Sequence, residues 1–378
     1  MQKQFDLNIE QVLEYWGLEH AVREIIANAL DEQMLTDSRD IEIYQTMENI
    51  WHIRDYGRGL NYTHFTQNEN PEKLDHPNLI GKFGVGLKDA LAVFYRHNIK
   101  VEMFSKHGHI TLTMHTKEGF DVETLHTVFA EAVDKSMVGT EIVMHGLTQA
   151  DMAKAKAMFL MFSDAQKLET TMNGAVYTRD SAGGHIYVNG VRVASEENFM
   201  FTYNITNINA QIKKALNRER SNVGRTAYTT SVKGILKQCQ SEAVLEVLVA
   251  DLNEFTTGLA KDESSWVDIS AYAVQMLNKK WEVIFIDSFG FDQLTNQERE
   301  ILEESGKRLV VVPTNVLEKV GSTVTQFNDV MSDYTNSFSY DFVSYERLTI
   351  AEKNIYDSKR IVLQFLKKAS AFFAKEMK

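Results

Sequence analysis

Three short clusters near the N-terminal end of the chain carry the residue types that phosphate chemistry needs. In the first, Glu24, Asn28 and Asp31 are spaced four and three residues apart. At about 100° per residue they fall in one narrow stripe of a helix, opposite an apolar stripe of Leu18, Val22, Ile25, Ile26 and Ala29. A carboxylate and an amide one turn apart can set a general base beside a metal-bound phosphate. Alone, such a stripe is an ordinary solvated helix face. The second cluster, Arg54-Asp55-Tyr56-Gly57-Arg58-Gly59-Leu60, ends an alternating strand. Its glycines let backbone approach a ligand closely while Asp55 accepts a hydrogen bond, although a plain glycine turn would read the same way. The third, Ile80-Gly81-Lys82-Phe83-Gly84-Val85-Gly86-Leu87-Lys88, leads into a helix. Glycines before a helix N-terminus offer N–H groups and the positive end of the helix dipole to an anion. The run lacks the Walker A spacing, and no βαβ setting makes it a dinucleotide fingerprint.

The elements that must position these clusters are legible from periodicity. A helix opens near Asn8 and runs to about residue 15, and a second covers residues 19–34. Residues 41–46 and 50–55 alternate as a strand pair, and residues 60–80 form a long polar loop with one short helix at most. A helix over residues 85–97, a hairpin from 99–105 and 110–115, and a strand over 140–145 complete a first unit. Helices and strands mix in the manner of an α+β layer. Beyond residue 147 the pattern changes. A helical stretch is expected over 148–168, a hairpin over 185–194 around Asn189-Gly190, and a strand over 199–205. A basic segment, 213–225, then enters a long helical region reaching about residue 252. Strands at 283–287 and 309–312 flank a helix that opens on Thr295 and Glu298, giving a βαβ unit. Thr349 and Glu352 repeat that capping spacing before a terminal basic helix. The expected units are residues 1–147, 148–275 and 276–378.

Composition sets the outer bounds. The 378 residues suit two or three domains. A single cysteine excludes a disulfide framework and a multi-cysteine zinc site. A net charge of −12 argues against broad electrostatic capture of nucleic acid. No signal-like or membrane-length apolar run occurs, so a cytoplasmic protein is expected, with no membrane partner.

Taken together, the order and spacing of the clusters resemble the GHKL superfamily of Bergerat-fold ATPases, which includes DNA gyrase, the large heat-shock chaperones, sensor histidine kinases, MutL and the microrchidia proteins. Residues 22–32 look like the family's N box, 55–59 like its D-x-G-x-G adenine box and 81–87 like its lid hinge. Gly139-Thr140 looks like the late box that closes the adenine pocket. The resemblance covers about residues 5–147. It implies a Bergerat-type α/β sandwich that binds ATP and Mg²⁺. Glu24 would be the general base and Asn28 the Mg²⁺ ligand, with Asp31 supporting the metal and water shell. Asp55 would accept the adenine amino proton with help from Thr140, and Gly57 and Gly59 would admit the base. The amides of Gly81, Lys82, Phe83, Gly84, Val85 and Gly86, with Leu87 behind them, would wrap the phosphates, and Lys82 or Lys88 would add charge. Residues 60–80 would form a lid.

The segment after the first unit resembles the start of the transducer in gyrase and MutL relatives, which senses the γ-phosphate through a basic residue. Lys213, Lys214, Arg218, Arg220 and Arg225 compete for that role, and a solvated basic helix end explains them equally well. Asp287 and Asp292, at the end of the first βαβ strand, read as loop residues because no further acidic cluster accompanies them. A sensor kinase fits poorly, because only a short segment precedes Glu24 and Glu24 itself favours hydrolysis. The expected function is therefore a slow, Mg-dependent ATPase acting as a conformational switch or clamp. It would close as a homodimer and act with a protein partner. The alternatives are a nucleic-acid-processing or anti-phage defence ATPase component and a chaperone-like client binder.

Overall fold

The computed structural model describes residues 3–7, 16–66, 79–80, 86–117, 121–216, 223–252, 254, 259–337 and 345–360. The fold class is α+β. Its first layer is a seven-stranded sheet in the order β1-β6-β5-β4-β7-β3-β2, in which every neighbouring pair is antiparallel. The strands are β1 (Lys3–Asp6), β2 (Glu42–Gln45), β3 (Trp51–Arg54), β4 (Lys100–Ser105), β5 (Gly108–Thr116), β6 (Glu123–Ala130) and β7 (Thr140–His145). Antiparallel sheets can keep one face in solvent, and this one does so by alternation. Trp51 and Ile53 of β3, Val101 and Met103 of β4, and Ile142 and Met144 of β7 are buried. Their neighbours His52, Glu102, Glu141 and His145 form ion pairs on the other face.

Against the buried face lie α1 (Leu18–Thr36) and α2 (Gly86–Arg96). Ala21, Val22, Ile25, Ile26 and Ala29 of α1 share one core with Ala90, Leu91, Val93 and Phe94 of α2. Each large apolar side chain buried there contributes roughly 1.5–3 kcal/mol. The two helices are also tied at an end, where Arg96 donates to the Trp16 carbonyl at 2.7 Å. The expected pairs over 41–55 and 99–115 and the strand at 140–145 are all present. The expected helix before residue 15 lies outside the described residues, as do residues 67–78 of the expected lid. Residues 63–66 do form one short helical turn.

A five-stranded mixed sheet follows, in the order β11-β10-β12-β9-β8. It contains β8 (Lys167–Thr171), β9 (Gly174–Thr178), β10 (Gly184–Val188), β11 (Val191–Glu196) and β12 (Phe201–Ile205). Here one expectation is corrected. The helix expected over 148–168 stops early, as α3 (Gln149–Lys156), because Phe159 is drawn into the first core and bridges to Val191. A 3₁₀ turn and strand β8 take up the rest. A second correction concerns the region reaching residue 252, which is two helices, α4 (Arg225–Leu236) and α5 (Glu242–Leu252). The β10–β11 hairpin turns at Asn189-Gly190, both with positive φ (47° and 80°), the backbone that favours this pair.

The last part of the chain packs helix α6 (Val267–Lys280) with the parallel pair β13 (Val283–Asp287) and β14 (Arg308–Val312), joined through helical turns as expected. Thr295 caps its helix reciprocally with Glu298. Asp287 caps the short helix that follows it, accepting from Gly290 N–H at 2.7 Å. Among the described residues no helix is long and apolar enough to cross a membrane.

Glu263 stands out in the core beneath β12, where it is fully buried. Its carboxylate accepts N–H bonds from Met200 at 2.9 and 3.0 Å and a hydroxyl bond from Tyr203 at 3.0 Å. Burial nevertheless pushes its pKa from 4.5 up to about 7. A carboxyl with a raised folded-state value favours the fold while protonated, and that contribution fades as pH rises through the window from 4.5 to about 7. The loss amounts to about 3 kcal/mol. Glu263→Gln is expected to flatten this slope and to melt above the wild type near neutrality and beyond, as followed by circular dichroism. Glu263→Ala strands the Met200 amide and is expected to melt lower at every pH. An unaltered slope in Glu263→Gln would clear Glu263 of the effect.

Candidate functional site

Helix α1 is the rail on which the three clusters meet. Its middle is buried almost all round, so Arg23, Glu24 and Asp31 are as enclosed as the apolar residues beside them. A buried charge is tolerated only with a partner. Arg23 supplies one for Glu24, donating from Nε to Oε1 at 3.0 Å, with Nη2 2.9 Å from the same oxygen in an ion pair. The Arg23 guanidinium also lies 5.1 Å from the Trp16 ring centre. The other oxygen of Glu24 faces the start of α2, where a Cβ on Gly86 would stand 2.3 Å from Oε2. Only glycine leaves room for the carboxylate there.

One turn on, Asn28 is half-buried. Asp31 takes the N–H of Ile80 on Oδ1 at 2.6 Å, which holds the chain immediately before the glycine-rich run. At the next position, Glu32 binds the second cluster. It accepts from the Arg58 amide at 2.9 Å, and from Arg58 Nε and Nη2 at 2.9 and 3.0 Å. Its side chain fills the space beside Gly57, where a Cβ would meet Glu32 Cγ at 2.3 Å.

Asp55 is buried at the end of β3. Its Oδ1 accepts from Gly57 N–H at 3.0 Å and from Thr140 N–H at 3.2 Å. Burial raises the Asp55 pKa above the ordinary carboxylate value, and the Gly57 and Thr140 hydrogen bonds work against that rise. Thr140 also takes the Leu60 N–H on its hydroxyl at 3.0 Å, and its carbonyl accepts from the Asp55 amide at 3.0 Å. This closeness depends on Gly139, which has φ 80° and would carry a Cβ only 1.9 Å from the Asp55 carbonyl oxygen. Gly59, with φ 86°, lies against the Gly139 carbonyl in the same way.

The structure thus brings Glu24, Asn28, Asp31, Asp55, Gly57, Gly59, Gly86 and Thr140 together along α1, the start of α2 and the strand ends beside them. Leu87 and Lys88 are half-buried in the first turn of α2. Gly81, Lys82, Phe83, Gly84 and Val85 lie outside the described residues. Of the basic candidates, Lys213 and Lys214 are exposed on the short helix Ala210–Ala215, and Arg218 and Arg220 lie outside the described residues. Arg225 is committed elsewhere. It pairs with Asp262 and with Glu196 and lies 5.2 Å from the Phe199 ring centre. Asp287 is likewise held in the fold, its second oxygen accepting from the Thr314 hydroxyl at 3.2 Å.

Sequence reasoning missed Arg23, Glu32 and Asp89. Asp89 is buried in the first turn of α2. The signal for Arg23 and Glu32 was adjacency to Glu24 and Asp31 on a helix too apolar to leave its charges in water. Among the described residues no group of three or more His, Cys, Asp or Glu side chains could hold a metal ion. A site with a single protein ligand, its remaining positions filled by phosphate and water, is the usual arrangement for Mg²⁺.

Comparison with known proteins adds the following. Residues 150–242 match the model of a family described as Mycoplasma pneumoniae MPN635 N-terminal domain. An uncharacterized protein of Mycoplasma pneumoniae is 40% identical over 237 residues, which are 61% of this chain and 96% of that protein. A second uncharacterized protein of the same organism is 27% identical over 196 residues, 45% of this chain and 55% of its own length. Among solved structures, the topoisomerase IV ATP-binding domain of Francisella tularensis, in complex with a small-molecule inhibitor, aligns with a TM-score of 0.32 and 15% identity, over 74% of this chain and 99% of that one. The 43K ATPase domain of Thermus thermophilus gyrase B, in complex with an aminocoumarin, aligns with a TM-score of 0.24 and 14% identity, over 46% and 61%. Identity at this level over nearly the whole of the first relative makes the conclusion plain: the chain belongs to the same family as that uncharacterized Mycoplasma pneumoniae protein.

Proposed function

We propose that the chain is a Mg-dependent ATP-binding protein of the GHKL type that hydrolyses ATP slowly and uses the bound state as a conformational switch. The observation that carries this reading is the contact of α1 with both other clusters: Glu32 with Gly57 and Arg58, Asp31 with Ile80, and Glu24 with Gly86. From Glu24 to Glu32 the helix rises about 12 Å. That length suits a nucleoside triphosphate, with its base near Asp55 and its terminal phosphate near Glu24.

Each residue then has a defined task. Asp55, buried and held by two amides on Oδ1, would accept from the adenine amino group, and burial strengthens such a hydrogen bond. Gly57, Gly59 and Thr140 shape the floor of that pocket. Asn28 offers a side-chain oxygen to Mg²⁺, which would neutralise phosphate charge, and Asp31 orders the adjoining chain and water. Glu24, oriented by Arg23, would take the proton of the attacking water. Gly86 and the amides before it, with Lys82 or Lys88, would hold the phosphates by positioning and charge rather than by covalent chemistry. Lys213, Lys214, Arg218 and Arg220 remain candidates for sensing the γ-phosphate, and the Arg225 ion pairs make it the weakest of the set. The proposed units are residues 1–147, 148–275 and 276–378. The proposed setting is cytoplasmic, as an ATP-dependent homodimer with a protein partner.

Asp55→Asn is a sharp test. An asparagine can keep Oδ1 on the Gly57 and Thr140 amides, but it then turns an NH₂ towards the adenine amino group. The variant is expected to fold normally and to lose Mg-ATP binding by about a hundredfold or more, as measured by isothermal titration. Retained affinity would remove Asp55 from base recognition.

For the base, Glu24→Gln is a better substitution than Glu24→Ala. Alanine takes from the buried Arg23 guanidinium its carboxylate partner, at a cost of ~3–5 kcal/mol. Glu24→Gln is expected to bind Mg-ATP with wild-type affinity and to hydrolyse it about 10²–10⁴-fold more slowly in single-turnover assays. Wild-type turnover in this variant would transfer the role of base to another group. Sedimentation with a nonhydrolysable ATP analogue tests the clamp: a shift from monomer to dimer is expected, and a monomer in both conditions would end that part of the proposal.

A further inference from the structure

The Asn189-Gly190 turn, which sequence analysis marked only as the end of a hairpin, reaches out of its own sheet. The base of that hairpin, Ile186, Val188 and Val193, is buried in the second core, but Val191 at its tip is buried in the first. The tip is fastened through its own backbone groups. Gly190 accepts from the Leu160 amide at 2.9 Å and donates to Asn204 Oδ1 at 2.9 Å, and the Asn189 amide donates to the Ile205 carbonyl at 3.1 Å. The backbone of the turn is thus bonded in its own right, and the Asn189 side chain reaches further. Its Nδ2 donates to the carbonyl of Leu79 at 3.4 Å. Leu79 is buried, and the next amide, Ile80 N–H, is the one held by Asp31.

We infer that Asn189 is a positioning residue for ATP: together with Asp31 it grips the dipeptide Leu79-Ile80 from two sides, and so couples the second sheet to the chain that enters the phosphate-binding run. This inference rests on the ATP reading of the site. A movement of the β10–β11 hairpin would pull on the Leu79 carbonyl while Asp31 holds its neighbour. Conversely, a phosphate group that draws in the glycine-rich run would be felt at the hairpin. Linkage requires that influence to be equal in both directions.

The turn geometry supplies clean variants. Asn189 has φ 47°, a conformation that glycine and aspartate tolerate and alanine does not. Asn189→Gly removes only the side-chain donor. Asn189→Asp keeps the shape and sets an acceptor against the Leu79 carbonyl. Both are expected to melt within a few degrees of the wild type, while the dissociation constant for a Mg-bound nonhydrolysable ATP analogue rises about fivefold for glycine and more for aspartate. A structural role alone would lower the melting temperature and leave affinity in place. Hydrogen exchange of the peptide spanning residues 79–80, in nucleotide-free protein, reads the same grip without ATP, and faster exchange in Asn189→Gly is expected. Wild-type affinity and wild-type exchange in both variants would overturn the inference. Absence of binding by the wild-type protein would instead refute the ATP reading and leave the exchange measurement to decide the mechanical coupling.

Discussion

Burial of charge on one helix organises this end of the molecule. Helix α1 places Arg23, Glu24 and Asp31 where water does not reach, and an unpartnered buried charge would cost several kcal/mol. Arg23 and Glu24 meet that demand in each other. Asp31 meets part of it by taking a backbone amide from a distant segment. Removing a charge would relax the demand, but it would also release the elements that the charge holds. The same constraint explains why glycine stands at positions 57 and 86, since any side chain there would displace a carboxylate of α1.

The second sheet is built on a different rule. Its strands are short and its register is set by turns, above all by Asn189-Gly190. The fully enclosed Glu263 accepts from the Met200 and Phe201 amides and the Tyr203 hydroxyl, and its pKa is still raised, because these hydrogen bonds do not replace the hydration lost at complete burial. In α1 a carboxylate is buried against a guanidinium; beneath β12 a carboxylate is buried among neutral donors, and its pKa is raised.

Much of the first layer was legible because its strands alternate cleanly. Trp51–Arg54 and Thr140–His145 show apolar residues facing in and polar residues facing out, and both were located to within a residue or two. Strand β6 was not found, because its central residues are buried on both faces and do not alternate. Strand β1 was missed because four residues at an edge carry little periodic signal. The overlong helix after residue 148 failed for a tertiary reason: Phe159 continues a plausible helical stripe, but the first core claims it. In the candidate site, sequence supplied Glu24, Asn28 and Asp55 as residue types at suitable spacings. It could not supply the part played by Glu32, which depends on contacts with a segment far along the chain.

The tip of the β10–β11 hairpin has one more consequence. Met152, Ala155, Phe159 and Val191 all fill the first core, although they follow the last strand of the first sheet. A fragment ending after Leu147 would leave that core open along one side of α1, the face against which Gln149–Lys156 packs. Proteolysis or truncation near that point would therefore yield a sticky, partly uncovered fragment rather than an autonomous module, and the first and second sheets should lose their structure in a single cooperative transition.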